Sequence, residues 1–149
     1  MSKVITYTQE MYNEDMERLL EQIRKGNEDY ALVVGLARGG LIPAVQVSHK
    51  FDVPLEPLPW QTRSGGVKER KQTIITALEQ GQKILIVDDL IDSGRAMREL
   101  IADLGVDRSK IDIAVLYYNP SQEIKPDFFA RIIDRRIDER WIVFWWEAQ

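Results

Sequence analysis

Short apolar runs alternate along the chain with segments whose apolar residues recur every three or four positions. The runs at 30–36 and 84–87 have no polar face and predict strands buried on both sides, as in a parallel sheet, and 111–118 predicts a third strand. Helical spacing predicts one helix at 41–50 and another that begins near Ser93 and ends before Gly105. Because strands and helices alternate, we expect an α/β fold with a doubly wound, mainly parallel sheet flanked by helices.

Shorter patterns predict the remaining elements. Thr8 can cap a first helix, which Gly26 would end. A short strand bounded by prolines is expected at 53–57, and two further strands are expected at 128–133 and 141–144.

The stretch between Trp60 and Thr73 is polar, contains glycine and is rich in charge, so it predicts a long mobile loop. Such loops in compact domains are usually functional, although these charges equally fit an ordinary solvated loop. The following segment, 74–79, fits a strand or a helix. The basic residues of the loop are Arg63, Lys68, Arg70 and Lys71.

The composition argues against several classes of site and partner. With 149 residues and no cysteine, the chain fits a single domain, 1–149, without a disulfide, a thiolate nucleophile or a cysteine-ligated zinc. His49 is the only histidine, which argues against a histidine-based catalytic triad. A net charge of −4 with dispersed basic residues argues against a nucleic-acid partner, and no apolar run is long enough to span a membrane. We therefore expect a cytoplasmic protein with no nucleic-acid or membrane partner.

Three acids follow the predicted strand at 84–87, and they give the most specific chemical signal in the chain. Asp88 and Asp89 come directly after the strand, at the edge where open α/β sheets bind ligands. Asp92 comes next, and Gly94 then lets a ligand approach the start of a helix, which favours a phosphate group. Carboxylates that accept from hydroxyl groups beside a phosphate site predict a sugar phosphate as the ligand. The simpler alternative is that the acids only close a strand.

A second loop, 37–40, lies between the strand at 30–36 and the helix at 41–50, and its sequence is Ala-Arg-Gly-Gly. The Arg38 guanidinium and the backbone N–H groups of the glycines suit a pyrophosphate. Two glycines after a strand also fit any tight turn, and Arg38 favours the anion site over that alternative.

Three segments resemble motifs of the type I phosphoribosyltransferases. VDDLIDSGRAM, 87–97, resembles the motif that binds phosphoribosyl pyrophosphate (PRPP), and GLARGGLIP, 35–43, resembles the pyrophosphate loop of the purine members. ERWIVFWWE, 139–147, resembles the base-covering C-terminal segment of bacterial xanthine-guanine and hypoxanthine enzymes. The resemblance spans nearly the whole chain. It implies that family's fold, with a small hood over the base formed by the chain's ends.

The resemblance assigns contacts with PRPP to the first two segments. It implies that Asp88 and Asp89 contact the ribose hydroxyls, partly through Mg²⁺. The family holds its pyrophosphate loop with a non-proline cis peptide bond, expected here between Ala37 and Arg38, and Arg38 would stabilise the departing pyrophosphate. The residues expected to hold the pyrophosphate are Ala37, Arg38, Gly39 and Gly40. Those expected to hold the 5′-phosphate are Ser93, Gly94, Arg95 and Ala96, the last standing where the family usually has Thr or Ser.

The resemblance also assigns contacts with the base. Asp92 corresponds to the acid that handles the purine N7 proton and is the expected general base, with a helix N-cap as its alternative. Trp141 matches the aromatic residue that stacks on the base, and Leu90 is expected to contact it too. Asn119 stands where oxopurine enzymes have a lysine for the 6-oxo group, and an ordinary turn residue before a proline fits it at least as well. Glu147 is the expected third ligand of Mg²⁺.

The function that the resemblance implies is magnesium-dependent transfer of the phosphoribosyl group from PRPP to a purine base in purine salvage. Hypoxanthine, guanine and xanthine are the expected bases, and the protein is expected to be a homo-oligomer, a dimer or a tetramer. The loop between Trp60 and Thr73 would close over the reacting centre to exclude water. The alternative is a non-catalytic protein on the same fold that senses PRPP or a nucleotide. A doubly wound phosphoacceptor domain also clusters acids at strand ends, but it needs no anion cradle and no Arg-Gly-Gly loop.

Overall fold

The computed structural model of the chain describes residues 3–60, 68–120 and 123–147. Within these ranges the chain forms seven strands and four α-helices. The strands are β1 Val4–Tyr7, β2 Tyr30–Ala37, β3 Leu55–Pro59, β4 Lys83–Ile91, β5 Ile111–Tyr118, β6 Phe128–Ile132 and β7 Trp141–Phe144. The helices are α1 Gln9–Gly26, α2 Leu41–Phe51, α3 Lys68–Glu79 and α4 Arg95–Leu104.

Five strands form one parallel sheet in the order β3-β2-β4-β5-β6. Side chains of β4 alternate between its faces, so that Ile84 and Ile86 pack with α3 and α4, whereas Leu85 and Val87 pack with α1 and α2. Both faces of the sheet are therefore covered, which explains the long apolar runs in its central strands. The expected doubly wound, mainly parallel α/β fold is confirmed.

The two ends of the described chain meet in a second, two-stranded sheet. β1 and β7 pair in parallel, with Val4 opposite Trp141 and Tyr7 opposite Phe144. This small sheet packs on the core shared by α1 and α2. The hood formed by the chain's ends is thus present, although β1 itself is not evident from the sequence pattern.

A buried ion pair ties the small sheet to the main one. Asp15 of α1 has no exposed surface and accepts from the Tyr7 hydroxyl at 2.7 Å and from Arg131 Nε at 2.7 Å. Arg18 also pairs with this carboxylate, at 2.5 Å. Burial and the hydrogen bond to Asp15 raise the pKa of Tyr7. The carboxylate therefore connects β1, α1 and β6 in one network.

Most predicted elements are confirmed, and their boundaries follow local signals. The Thr8 side chain accepts from the backbone N–H of Met11 at 3.1 Å and begins α1, while Asn27, with φ 52°, ends it in place of Gly26. Gly105, with φ 64°, ends α4 as expected. β3 begins two residues later than predicted.

One prediction about the middle of the chain needs correction, and one open alternative is decided. Residues 68–79 form α3, so the loop prediction is wrong for 68–72, and 74–79, which fitted a strand or a helix, is a helix. Ile74, Ala77 and Leu78 recur at helical spacing and are buried in the core, which explains this choice. Residues 61–67 and the side chains of Arg63, Lys68, Arg70 and Lys71 lie outside the described residues. None of the helices in the described ranges is long and apolar enough to cross a membrane.

Candidate active site

The loops after β2 and β4 lie side by side because these strands pair in parallel, with Gly35 opposite Val87. A methyl group on Gly39 would lie 2.0 Å from Asp89 Oδ2, and one on Gly40 would lie 2.6 Å and 2.7 Å from the carbonyl oxygens of Leu36 and Val87. Only glycine permits this approach. The structure therefore brings the predicted anion loop directly against the predicted acids.

The Arg38 side of this contact forms the larger opening of the site. The peptide bond between Ala37 and Arg38 is cis, as expected. Arg38 is exposed and lines a cavity of about 520 Å³ together with Gly39, Trp146 and Glu147. An exposed guanidinium beside a glycine-rich backbone can hold a polyanion of pyrophosphate size.

Asp88 and Asp89 lie at the carboxyl end of β4 rather than beyond it. β4 continues to pair with β5 as far as Ile91, so the predicted strand end at 87 is four residues short. Both acids are half-buried, and the backbone N–H of Asp89 donates to Asp88 Oδ1 at 2.8 Å. Strand pairing therefore fixes the backbone that carries the pair.

Burial gives this acid pair unusual electrostatics. Burial, and then the neighbouring charge of Asp89, raise the pKa of Asp88 well above its usual range. Burial also raises the pKa of Asp89, and the negative charge of Glu147 adds to that rise. Two carboxylates held together in this way gain most from a bound cation or from hydroxyl donors.

The loop between β4 and α4 encloses a smaller cavity of about 150 Å³. Gly94 caps α4 with φ 78°, a conformation that favours glycine. Ser93 Oγ accepts from the backbone N–H of Arg95 at 3.3 Å, and Arg98 Nη1 donates to the Ser93 carbonyl at 3.1 Å. The start of α4 and the nearby guanidinium of Arg98 make this cavity suitable for a phosphate group. Its lining residues are Asp88, Leu90, Ile91, Asp92, Ser93, Gly94, Arg95, Ala96 and Met97.

Asp92 forms a bidentate ion pair that the sequence analysis did not anticipate. Arg135 Nε donates to Asp92 Oδ1 at 2.9 Å, and Arg135 Nη2 donates to Oδ2 at 3.2 Å. The N-cap alternative for Asp92 is wrong, because Gly94 occupies that position. Arg135 lies in the segment after β6, and only the sheet order brings the end of that strand near the end of β4. No motif marks it in the sequence.

Asn119 connects the two partners of this ion pair. Its side chain is 2% exposed, its Nδ2 donates to the Asp92 carbonyl at 3.0 Å, and its Oδ1 accepts from the backbone N–H of Arg135 at 3.3 Å. Both ends of the amide are thus bonded to backbone. This arrangement favours the turn-residue alternative over a direct contact with the base.

Of the remaining predicted site residues, Leu90 and Glu147 each line one of the two cavities, and Trp141 lines neither. Leu90 is half-buried and lines the smaller one, whereas Trp141, the first residue of β7, is 67% exposed. Glu147 lines the larger cavity and accepts from the backbone N–H of Phe144 at 3.1 Å. Within the described ranges, there is no group of three or more Asp, Glu or His side chains close enough together to hold a metal ion. Glu147 therefore does not join Asp88 and Asp89 in a ready-made metal site.

The chain is similar to known proteins over nearly its full length. Residues 8–149 match the family model described as phosphoribosyl transferase domain. The xanthine-guanine phosphoribosyltransferase of Idiomarina loihiensis is 30% identical over 80% of this chain and 73% of that protein. The protein of the same name from Nitratidesulfovibrio vulgaris (strain DP4) is 29% identical over 99% of this chain and 86% of that protein.

Solved structures share the fold. The purine phosphoribosyltransferase of Pyrococcus horikoshii has a TM-score of 0.73 and 26% identity, covering 99% of this chain and 96% of its own. The xanthine-guanine-hypoxanthine phosphoribosyltransferase of Helicobacter pylori has a TM-score of 0.75 at 22% identity, covering 96% and 92%. These likenesses confirm the fold that the three motifs implied.

Proposed function

The chain belongs to the phosphoribosyltransferase family, and we propose that it transfers the phosphoribosyl group of PRPP to a purine base. The products would be the nucleoside 5′-monophosphate and pyrophosphate. One observation carries this proposal: two glycine-containing loops, each beside a cavity, lie next to one half-buried acid pair. The names of the similar proteins support a purine as the acceptor.

The arrangement matches the three polar parts of PRPP. The small cavity at the start of α4 would take the 5′-phosphate, and the larger cavity beside Arg38 would take the pyrophosphate. Asp88 and Asp89 lie between the two loops, where they would accept from the ribose hydroxyls. Binding at three points would orient the anomeric carbon toward the base.

Magnesium fits the acid pair. Mg²⁺ prefers oxygen ligands and is usually held by one or two carboxylates together with substrate phosphates. The raised pKa values of Asp88 and Asp89 describe two carboxylates that lack a compensating charge. These two residues would hold the ion, which would neutralise charge that develops on the leaving pyrophosphate. Glu147 would act only through its charge.

In the proposed reaction the bond between C1′ and the pyrophosphate oxygen breaks, and pyrophosphate leaves with the electron pair. A nitrogen of the purine forms the new bond to C1′, and Asp92 accepts the proton that the base loses. Arg38 would stabilise the departing anion. Two of the lone-pair positions of Asp92 face Arg135, so the carboxylate can still accept from the base.

A PRPP or nucleotide sensor is the second candidate. The observation that favours it is the ion pair with Arg135, because a carboxylate engaged in this way suits binding without proton transfer. Turnover separates the two candidates. The protein is incubated with PRPP, Mg²⁺ and one of hypoxanthine, guanine, xanthine or adenine, and nucleotide and pyrophosphate are measured. We expect the wild-type protein to form nucleotide and the Asp88→Asn variant to form none. If calorimetry shows that PRPP binds but no base is converted, the protein is a sensor.

A further inference from the structure

The guanidinium of Arg135, which lies between β6 and β7, pairs with the Asp92 carboxylate. The Arg135 side chain is 19% exposed, whereas that of Asp92 is 42% exposed. Two contacts fix the other end of the guanidinium, because Nη1 donates to the Asp138 carbonyl at 3.2 Å and to the Arg140 carbonyl at 2.5 Å. The guanidinium therefore links Asp92 to the residue that precedes Trp141.

Four of the five N–H donors of the Arg135 guanidinium form hydrogen bonds within the described residues. A guanidinium has five N–H donors. Nε and one N–H of Nη2 bind Asp92, and both N–H groups of Nη1 bind backbone carbonyls. Over the parts of the chain that the structure describes, the second N–H of Nη2 has no partner. This donor belongs to the nitrogen that also contacts Asp92.

We infer that this free donor of Arg135 binds the 6-oxo group of the purine and makes Arg135 the residue that selects oxopurines. The inference rests on the proposed function, in which Asp92 accepts the proton of N7. N7 and the 6-substituent share one edge of a purine. A group beside the N7 acceptor on that edge therefore meets position 6. Arg135 contacts Asp92 directly, so the carboxylate would accept from N7–H while the guanidinium donates to O6.

Asn119 is the positioning residue for this pair. Its amide bonds the backbone of Asp92 and the backbone of Arg135, and so it fixes the spacing of the two elements that carry the charged side chains. The oxopurine contact expected of a lysine at position 119 would then come from Arg135, and Asn119 would act through it.

The guanidinium of Arg135 would select for an oxopurine over adenine because all of its N–H groups are donors. A guanidinium carries donors only, so it can bind an oxygen at position 6 but not an amino group, which is also a donor. With adenine, the amino group and the free N–H of Arg135 would face each other without a bond. Hydrogen bonds to charged groups contribute enough to change the preference between the two bases by about 10- to 100-fold.

The test compares base preference in variants of the full chain. Arg135→Met removes every donor and keeps a long unbranched stem, whereas Arg135→Lys keeps a cationic donor. Arg136→Met is the matched control, because Arg136 is exposed and pairs with Asp134 at 2.7 Å instead of Asp92. For each protein, kcat/KM is measured with hypoxanthine, guanine and adenine at saturating PRPP, and PRPP binding is measured by calorimetry.

We expect Arg135→Met to lower the ratio of oxopurine to adenine kcat/KM by about 10- to 100-fold while PRPP still binds. Arg135→Lys should keep a larger part of that ratio, and Arg136→Met should keep all of it. A uniform loss on every base would overturn the inference, since it would mean that Arg135 only holds Asp92. If Arg135→Met does not bind PRPP, the lysine variant decides: a lower ratio of oxopurine to adenine kcat/KM than in the wild type is expected there, and an unchanged ratio would overturn the inference. A fall in the ratio for Arg136→Met as large as that for Arg135→Lys would also overturn it. A wild-type protein inactive on all purines would instead refute the proposed function.

Discussion

Replacing Gly39 and Gly40 by alanine, one at a time, should have different consequences because the added methyl groups meet different atoms. On Gly39 the methyl carbon would lie 2.0 Å from Asp89 Oδ2 and 2.8 Å from its Cγ. Ordinary contact begins near 3.4 Å, so the carboxylate must move by about 1.4 Å. A half-buried side chain can make this movement by rotation, and we expect little loss of stability. A displacement of this size in a binding group should lower kcat/KM by about 10²-fold.

On Gly40 the methyl carbon would meet backbone instead. It would lie 2.6 Å from the Leu36 carbonyl oxygen, 2.7 Å from that of Val87 and 2.9 Å from Asp88 Cα. These atoms belong to β2 and β4, which are paired in the centre of the sheet, so rotation of a side chain cannot relieve the contact. Overpacking of this kind costs about 1–3 kcal/mol. We expect the upper end of that range, which corresponds to a fall in Tm of roughly 6–12 °C in a domain of this size.

Thermal melts and calorimetric titration with PRPP and Mg²⁺ would check both variants. Gly81→Ala is the control, because a methyl group there meets nothing within 4 Å and only the φ of 74° opposes it. That variant should lose about 1–2 kcal/mol of stability and keep its PRPP affinity. Wild-type PRPP affinity and activity in Gly39→Ala would refute the role given to Asp89, and wild-type stability in Gly40→Ala would refute the rigid contact between the loops.

Three further variants address the acids. Burial raises the pKa of Asp88 on folding, so wild-type stability should fall as pH rises from about 4 through that raised value. Asp88→Asn should therefore increase Tm at neutral pH while abolishing PRPP binding in calorimetry. Asp92→Asn should lose ~10² to 10⁴ in kcat, measured in steady state, with much less change in PRPP affinity. Asp15→Asn should lower the free energy of unfolding in urea by about 3 kcal/mol, because Arg131 would lose its buried partner, and a loss under 1 kcal/mol would show that the network adds little.

Local sequence signals predict the main sheet well because each of its strands and helices carries its own pattern. The apolar run of β4 and the spacing in α4 are visible without reference to the rest of the chain. α3 is the exception. Its first turn lies in a polar stretch, and only burial of Ile74 and Leu78 against the sheet distinguishes helix from strand there. A single-sequence pattern therefore misses a helix whose polar start resembles a loop.

Long-range pairing limits what the sequence can predict about the hood. β1 has four residues and its hydrogen-bonding partner, β7, lies at the opposite end of the chain. Its burial pattern places only Tyr7 in the core. No local period marks such a strand, and the resemblance to a known family implies the hood where periodicity does not.

The three acids of the site show why a motif predicts residue types better than it predicts partners. Asp88, Asp89 and Asp92 lie within five consecutive positions, and the motif separates the roles expected of them but names no partner for any of the three. Within the described ranges, Asp88 and Asp89 have no cationic side chain paired with them, whereas Arg135 binds Asp92 with two donors. The first two are therefore free to accept from a cation or from hydroxyl groups, whereas the charge of the third is already balanced by Arg135. This division depends on the strand order that brings the segment after β6 across β5 to the end of β4, and that order is a property of the whole fold.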